Sequence, residues 1–304
     1  MKFEMMNFYT MCSLFFQEHY LLMRLTSCFL LGMWWCISGS LLQWTTQNPL
    51  SCPVTLGMTA LPVCLWLLCY VLGLDAEKFG VYGPLIIIVS VIHYVYARKI
   101  QKNAAWKIFD RDYVIIMGVA LNLSLASFYS LLYFYHSSQG KVMPNALWFG
   151  LLKNMETSKF LTLLVGSIVF FLILKTLLKD LSLFSLGKKF ASNFIDVSLV
   201  ERKILIFNSA LMCLIIFTGG VFAFWGLLLP HLMRSVGFLR NSLSKEIFGG
   251  GVGAGLMMMG ADYLCYEYPL AGSEFPVGLI SSILGPVLLV LLLIKKNSKA
   301  VKIL

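Results

Sequence analysis

The sequence predicts an all-α, polytopic membrane protein of about nine transmembrane helices, some of them short or half-helices. Three observations carry this. Of 304 residues, 59% are hydrophobic and only 12% are charged, where soluble domains carry about 25% charged residues. Mean hydropathy is +0.82. Apolar runs of about 20 residues recur along the chain, each long enough as a helix to cross ~30 Å of hydrocarbon. One membrane domain therefore takes in residues 1–304, with no soluble domain or flexible linker.

Clear spans lie at 27–45, 56–73, 80–97, 113–135, 158–178, 246–266 and 275–294. Basic residues gather between them in four groups. The first is Arg98, Lys99, Lys102, Lys107 and Arg111, and the second Lys179, Lys188, Lys189, Arg202 and Lys203. Arg234, Arg240 and Lys245 form the third, and Lys295, Lys296, Lys299 and Lys302 the fourth. Lysine and arginine mark cytoplasmic loops, so these groups face inside and the base-poor loops 74–79, 136–157 and 267–274 face outside. The same loops account for the net charge of +10 without nucleic acid as a partner.

The run 204–229 needs its own argument. Residues 203 and 234 both belong inside, so the chain between them goes out and returns. Roughly thirty residues at about 1.5 Å each cannot make two full crossings. Gly219-Gly220 offers a break, giving a span at 204–218 and a half-helix at about 222–233. A half-helix survives at membrane depth only where it lines a protected pathway, which is a mark of transport. The same count run backwards puts 43–55 inside and 1–26 outside, as a periplasmic amino-terminal segment whose preceding first helix is expected to be missing.

The eight cysteines sit mostly within apolar runs and show neither CxxC nor CxxH spacing, so they read as small buried hydrophobes. Glu4 and Asn7 interrupt the first apolar stretch, which speaks against a signal peptide. No Gly-x-x-x-x-Gly-Lys-Ser/Thr occurs, so no nucleotide site is expected. Neither a catalytic residue, a cofactor site nor a metal-ligand set is legible.

Three segments are too polar or too kinked to be lipid-facing filler. Gly39-Ser-Leu-Leu-Gln43 leads into Asn48-Pro49-Leu50, Pro53 and Gly57, where the prolines stop a helix and Asn48 suits a turn. In Trp225-Gly-Leu-Leu-Leu-Pro-His-Leu-Met-Arg234, His231 and Arg234 lie one turn apart on one face. With no second ligand at metal spacing, His231 reads as a hydrogen-bonded structural group. Asp262 and Glu274-Phe-Pro-Val-Gly278 carry carboxylates at span ends, where interfacial positions soften the cost of charge.

Together these segments resemble the iron-siderophore and cobalamin permease family of type II ABC importers. The resemblance rests on Gly39, Gln43, Asn48-Pro49-Leu50, Pro53 and Leu56-Gly57; on Gly226-Leu227, Pro230-His231 and Arg234; and on Ala261-Asp262, Glu274, Pro276 and Gly278. Leu186-Gly187 and Gly118-Val-Ala-Leu121 also agree, so the likeness runs in order from about 20 to 294.

The resemblance implies a ten-helix fold, of which nine are expected here, in a multi-pass protein of the cell inner membrane. It implies a second permease subunit, two cytoplasmic ATP-binding subunits and a periplasmic substrate-binding protein. Asn48, Pro49 and Leu50 match the cytoplasmic gate. The segment 183–200, with Leu186, Gly187, Lys188, Lys189 and Ser192, matches the ATPase-coupling position, expected as a helix through Leu199. The family's arginines that receive acidic knobs of the binding protein are represented only by Arg24, with Ser27 and Tyr266 at the others. The family's Asp-His after the Pro-His segment is replaced near Leu239-Arg240. An iron-siderophore is the default cargo, with haem or a cobalamin-like chelate beside it. The alternatives are an ABC permease for free divalent metal, which should show ligand residues at midspan, and a secondary transporter or membrane enzyme, which would need ionisable residues there.

Overall fold

The computed structural model describes residues 2–73, 84–92, 95, 111–140, 150, 152–153, 155–184, 188–235, 243–269, 274–283 and 285–287. They form α1 (Lys2–Thr46), α2 (Ala60–Val71), α3 (Arg111–Ser138), α4 (Thr157–Phe184), α5 (Lys188–Ala191), α6 (Val197–Gly219), α7 (Trp225–Ser235) and α8 (Gly250–Glu267). Residues 84–92 are also helical, α8 is entered through a π-turn at Lys245–Gly249, and a short apolar helix runs over Val277–Val287. Among the described residues there is no strand. His19–Thr46, Gly118–Ser138 and Thr157–Leu183 are long and apolar enough to cross a membrane.

The first element differs from its expectation. The helix that holds the span at 27–45 begins well before residue 27, because α1 is one helix of 45 residues. The reason is local: residues 2–26 contain neither proline nor glycine, so nothing breaks the helix. The coupling segment differs too. Instead of one helix through Leu199, α5 is a single turn that ends at Ala191, and α6 starts afresh at Val197. Asp196 makes that start as N-cap, accepting from the amides of Ser198 and Leu199.

α1 is the axis on which the other helices register. Leu31 lies against Gly219 and Ser38 donates to Asn208 Oδ1, so α6 runs antiparallel to α1. α8 is antiparallel as well: Gly251 faces Met33 and Ile37, Gly32 faces Ala254 and Met258, and Gly255 faces Phe29. A Cβ on Gly32 would sit 2.6 Å from Met258 Cβ, so the two backbones approach as closely as small residues allow.

The break within 204–229 falls where the sequence places it. α6 ends at Gly219, and Gly220 takes φ 86°, a region that L side chains resist. α7 then returns toward the Thr46 end of α1 and passes Gly39 at Gly226 and Pro230. Eleven residues give it about 17 Å, roughly half a bilayer core. Pro230 has no N–H, so the Gly226 carbonyl loses its helical donor, and Gly39 packs directly on that carbonyl.

A Cβ on Gly39 would overlap the Gly226 carbonyl and meet Pro230 Cγ at 3.0 Å, whereas one on Gly260 meets nothing within 4 Å. Gly39→Leu is therefore expected to lower the stability of the purified chain in detergent by about 1–3 kcal/mol or more. Gly260→Ala should be neutral or stabilising by up to about 1 kcal/mol. Thermal unfolding of both variants checks the pair. At Asp196 the Ser198 hydroxyl, then the Leu199 amide, holds the carboxyl below its ordinary 3.8. A depressed folded value stabilises above the ordinary range and is lost as pH falls through it. The contribution of this cap should thus be constant above about pH 5 and fade only in stronger acid, a loss that Asp196→Asn removes.

Candidate functional site

The loop after α1 is built by its own polar groups. Gln47 takes φ 53°, and the Asn48 side chain accepts from the Leu50 amide at 2.9 Å, closing an Asx-turn. The Ser51 amide donates to the Asn48 carbonyl at 3.1 Å. Thr46 Oγ1 donates to Ser51 Oγ at 2.7 Å, and Thr55 Oγ1 to the Leu50 carbonyl at 3.1 Å. The far side of the loop rests on α3, where Gly118 admits the backbone of Thr55 and Leu56 and Asn122 Nδ2 donates to the Val54 carbonyl.

α7 holds this loop at two places. His231 Nε2 lies 2.9 Å from the Pro49 carbonyl; a carbonyl only accepts, so Nε2 carries the proton. Gly226 leaves room for Pro53, whose Cδ would be 3.1 Å from a Cβ there. One turn beyond His231, Arg234 Nη2 donates to Gln43 Oε1, and Arg234 Nε donates to Glu246 Oε1 at 2.7 Å. Trp44 Nε1 donates to Glu246 Oε2 at 3.1 Å. Two motif segments that lie about 190 residues apart in sequence thus meet rung by rung: Gly39 with Gly226 and Pro230, Gln43 with Arg234, Pro49 with His231. Leu50 is 38% exposed.

Arg24, Asp262 and Glu274 come together at the other end of α1. Arg24 Nε and Nη2 form a two-pronged pair with Asp262 at 2.7 and 3.0 Å, and Nη1 reaches Glu274 Oε2 at 2.6 Å. The Tyr266 ring covers the guanidinium at 5.1 Å. Pro276 and Gly278 open the next helix: the Pro276 carbonyl accepts from the Leu279 amide, and the Gly278 carbonyl from the Ser281 and Ser282 hydroxyls.

This corrects the expected role of Arg24. The residue is 1% exposed and both carboxylates that face it belong to its own chain, so it offers no free charge to an acidic knob. Tyr266 fits the same picture, because an arginine there would set a second cation over Arg24. Asp262 is likewise buried, at 1% exposure; its cost is met by the pairing and not by water.

Leu186 and Gly187 lie outside the described residues. Lys188 and Lys189 fall on α5, and Ser192 is exposed in the turn after it. Among the described residues, no three His, Cys, Asp or Glu side chains gather as a metal-ligand set. Reasoning from sequence missed Glu246 and Trp44, which belong to no motif. It also missed Trp34, whose Nε1 donates to Ser167 at 2.8 Å.

A sequence model of the FecCD transport family matches residues 7–295. The chain belongs to the FecCD transport family. Among its relatives, the hemin transport system permease protein HmuU of Yersinia pestis is 27% identical over 87% of this chain and 79% of its own. The iron(3+)-hydroxamate import system permease protein FhuG of Bacillus subtilis is 26% identical, over 90% and 82%. An inward-facing metal-chelate type ABC transporter superposes with a TM-score of 0.73 at 19% identity, over 90% of this chain and 85% of the other. That likeness concerns the fold alone, which among the described residues of this FecCD chain is all-helical.

Removing one member of the buried Arg24 cluster leaves the others charged and unpaired. Arg24→Ala is expected to destabilise this FecCD protein by about 3–5 kcal/mol. Chemical unfolding in detergent, followed by tryptophan fluorescence, measures the loss.

Proposed function

We propose that the chain is the membrane-spanning permease subunit of an inner-membrane ABC importer that carries an iron-siderophore, or a haem- or cobalamin-like chelate. The observation that carries this reading is the clamped loop. A half-length helix, α7, starts at buried Trp225 within the bundle and holds the Asn48–Leu50 turn through Pro49 and Pro53. A broken helix that grips a polar turn suits a gate, since irregular backbone is tolerated only beside a protected pathway. The relatives named for hemin and ferric hydroxamate, with a vitamin B12 import permease of Vibrio cholerae at 23% identity, support a bulky metal chelate as cargo.

In this reading two permease subunits enclose the pathway, a periplasmic binding protein delivers the chelate, and two cytoplasmic ATP-binding subunits supply the energy. The permease has no catalytic role. Segment 183–200 contacts the ATPase through α5 and the exposed turn at Ser192, while the Asn48–Leu50 turn closes the cytoplasmic end. The binding protein docks on residues other than Arg24.

The test is reconstitution in vesicles with an ABC ATPase and a binding protein from the same source organism. A ⁵⁵Fe-loaded hydroxamate siderophore, hemin and cyanocobalamin are offered in turn. Uptake of one of them is expected only with ATP and the ATPase, and the permease alone should hydrolyse no ATP. Uptake without the ATPase, or of free divalent metal alone, overturns the reading. In the same complex, Ser192→Cys is expected to crosslink to the ATPase, and crosslinks confined to loop 98–112 would contradict the coupling assignment.

A further inference from the structure

We propose that Glu246 is the positioning residue of the gate. It acts through Arg234 to hold α7 against α1, and so keeps the Pro49–Pro53 turn clamped. This rests on the reading of that turn as a gate, although the contacts stand without it.

Glu246 is almost completely enclosed, with 3% of its side chain exposed. Both carboxylate oxygens are engaged, Oε1 by Arg234 Nε at 2.7 Å and Oε2 by Trp44 Nε1 at 3.1 Å. Arg234 also reaches Gln43, so one carboxylate joins the last turn of α1, the end of α7 and the approach to α8. A buried carboxylate cannot lose a cationic partner cheaply, because the charge would remain without water. The link is therefore a strong tether.

Its consequence for the turn follows from the geometry of α7. Arg234 lies at one end of that helix, while His231 and Gly226 touch Pro49 and Pro53 further along it. The two contacts bracket Leu50, Ser51 and Cys52. Release of Arg234 frees the helix end nearest His231 and loosens the Pro49 contact first. Glu246 itself stands in the π-turn Lys245–Gly249, followed by Gly250, Gly251, Gly253 and Gly255. π-turns often mark functional positions, and a glycine-rich helix start is intrinsically weak. A deformable α8 start is thus connected by one ion pair to the helix that clamps the turn.

The native thiols make this testable without cargo or ATPase. Cys52 lies in the clamped turn at 2% exposure, and Cys213 lies in the α6 core at 0%. The full chain in detergent is treated with a maleimide, and labelling at each cysteine is read by peptide mass spectrometry. Glu246→Gln and Arg234→Gln are each expected to speed labelling of Cys52 at least about ten-fold while Cys213 stays protected. The double variant should match the single ones, since both remove the same link. Trp44→Phe deletes one hydrogen bond only and should give a smaller increase, and Glu246→Asp should restore part of the protection. Unchanged Cys52 labelling in Glu246→Gln overturns the proposal. So does labelling of Cys52 and Cys213 that rises in parallel, which would mean general loosening, or additive effects in the double variant. A failure of chelate uptake with the tether intact would instead tell against the functional reading alone.

Discussion

Hydrocarbon offers no hydrogen bonds, so a polar side chain carried into the bundle is paired at low cost only within its own helix or on another one. That constraint arranges this protein. Ser38 meets Asn208, Trp34 meets Ser167, Gln43 meets Arg234, and Arg24 meets Asp262 and Glu274. Each pair joins α1 to a different part of the chain. Together they fix how deep each helix sits, which apolar packing alone leaves loosely defined because lipid tails are as apolar as leucine.

α8 shows the principle most clearly. Its approach is held by Glu246 on Arg234 and Trp44, its far end by Asp262 on Arg24, and the stretch between presents glycines to α1. Ionic contacts set the register at both ends, and small residues permit close approach in the middle. The stability of such pairs is not the sum of their Coulomb terms, because each charge was first removed from water. Their larger effect is specificity: a shift of one turn in α8 would leave Asp262 and Glu246 buried with no partner.

Much of this was legible in the sequence, and the reasons differ by element. The break at Gly219-Gly220 followed from counting residues between two basic groups, a constraint of length that tertiary structure cannot change. The motif residues Gly39, Gln43, Pro230, His231 and Arg234 were visible as misfits in apolar runs. That they face one another across some 190 residues was not, because one sequence carries no information on distant contacts. Arg24 was assigned outward for the same reason: its partners, Asp262 and Glu274, lie more than 230 positions away. Glu246 stands at the first position of the span 246–266 and belongs to no motif, and the return of α7 beside it is what encloses it. The span at 27–45 was drawn from the start of the continuous apolar run, although nothing in 2–26 interrupts a helix.

The account turns on α7 being a helix that returns within the membrane, and sidedness tests that most directly. Single-cysteine variants Ser138→Cys, Ser192→Cys and Ser235→Cys, on a background without the native cysteines, are labelled in sealed vesicles with an impermeant maleimide. All three positions are exposed. Ser192→Cys and Ser235→Cys are expected to react from the same side, and Ser138→Cys from the other. Reaction of Ser192→Cys and Ser235→Cys from opposite sides would mean a full crossing between them and would contradict the re-entrant helix and the gate built on it.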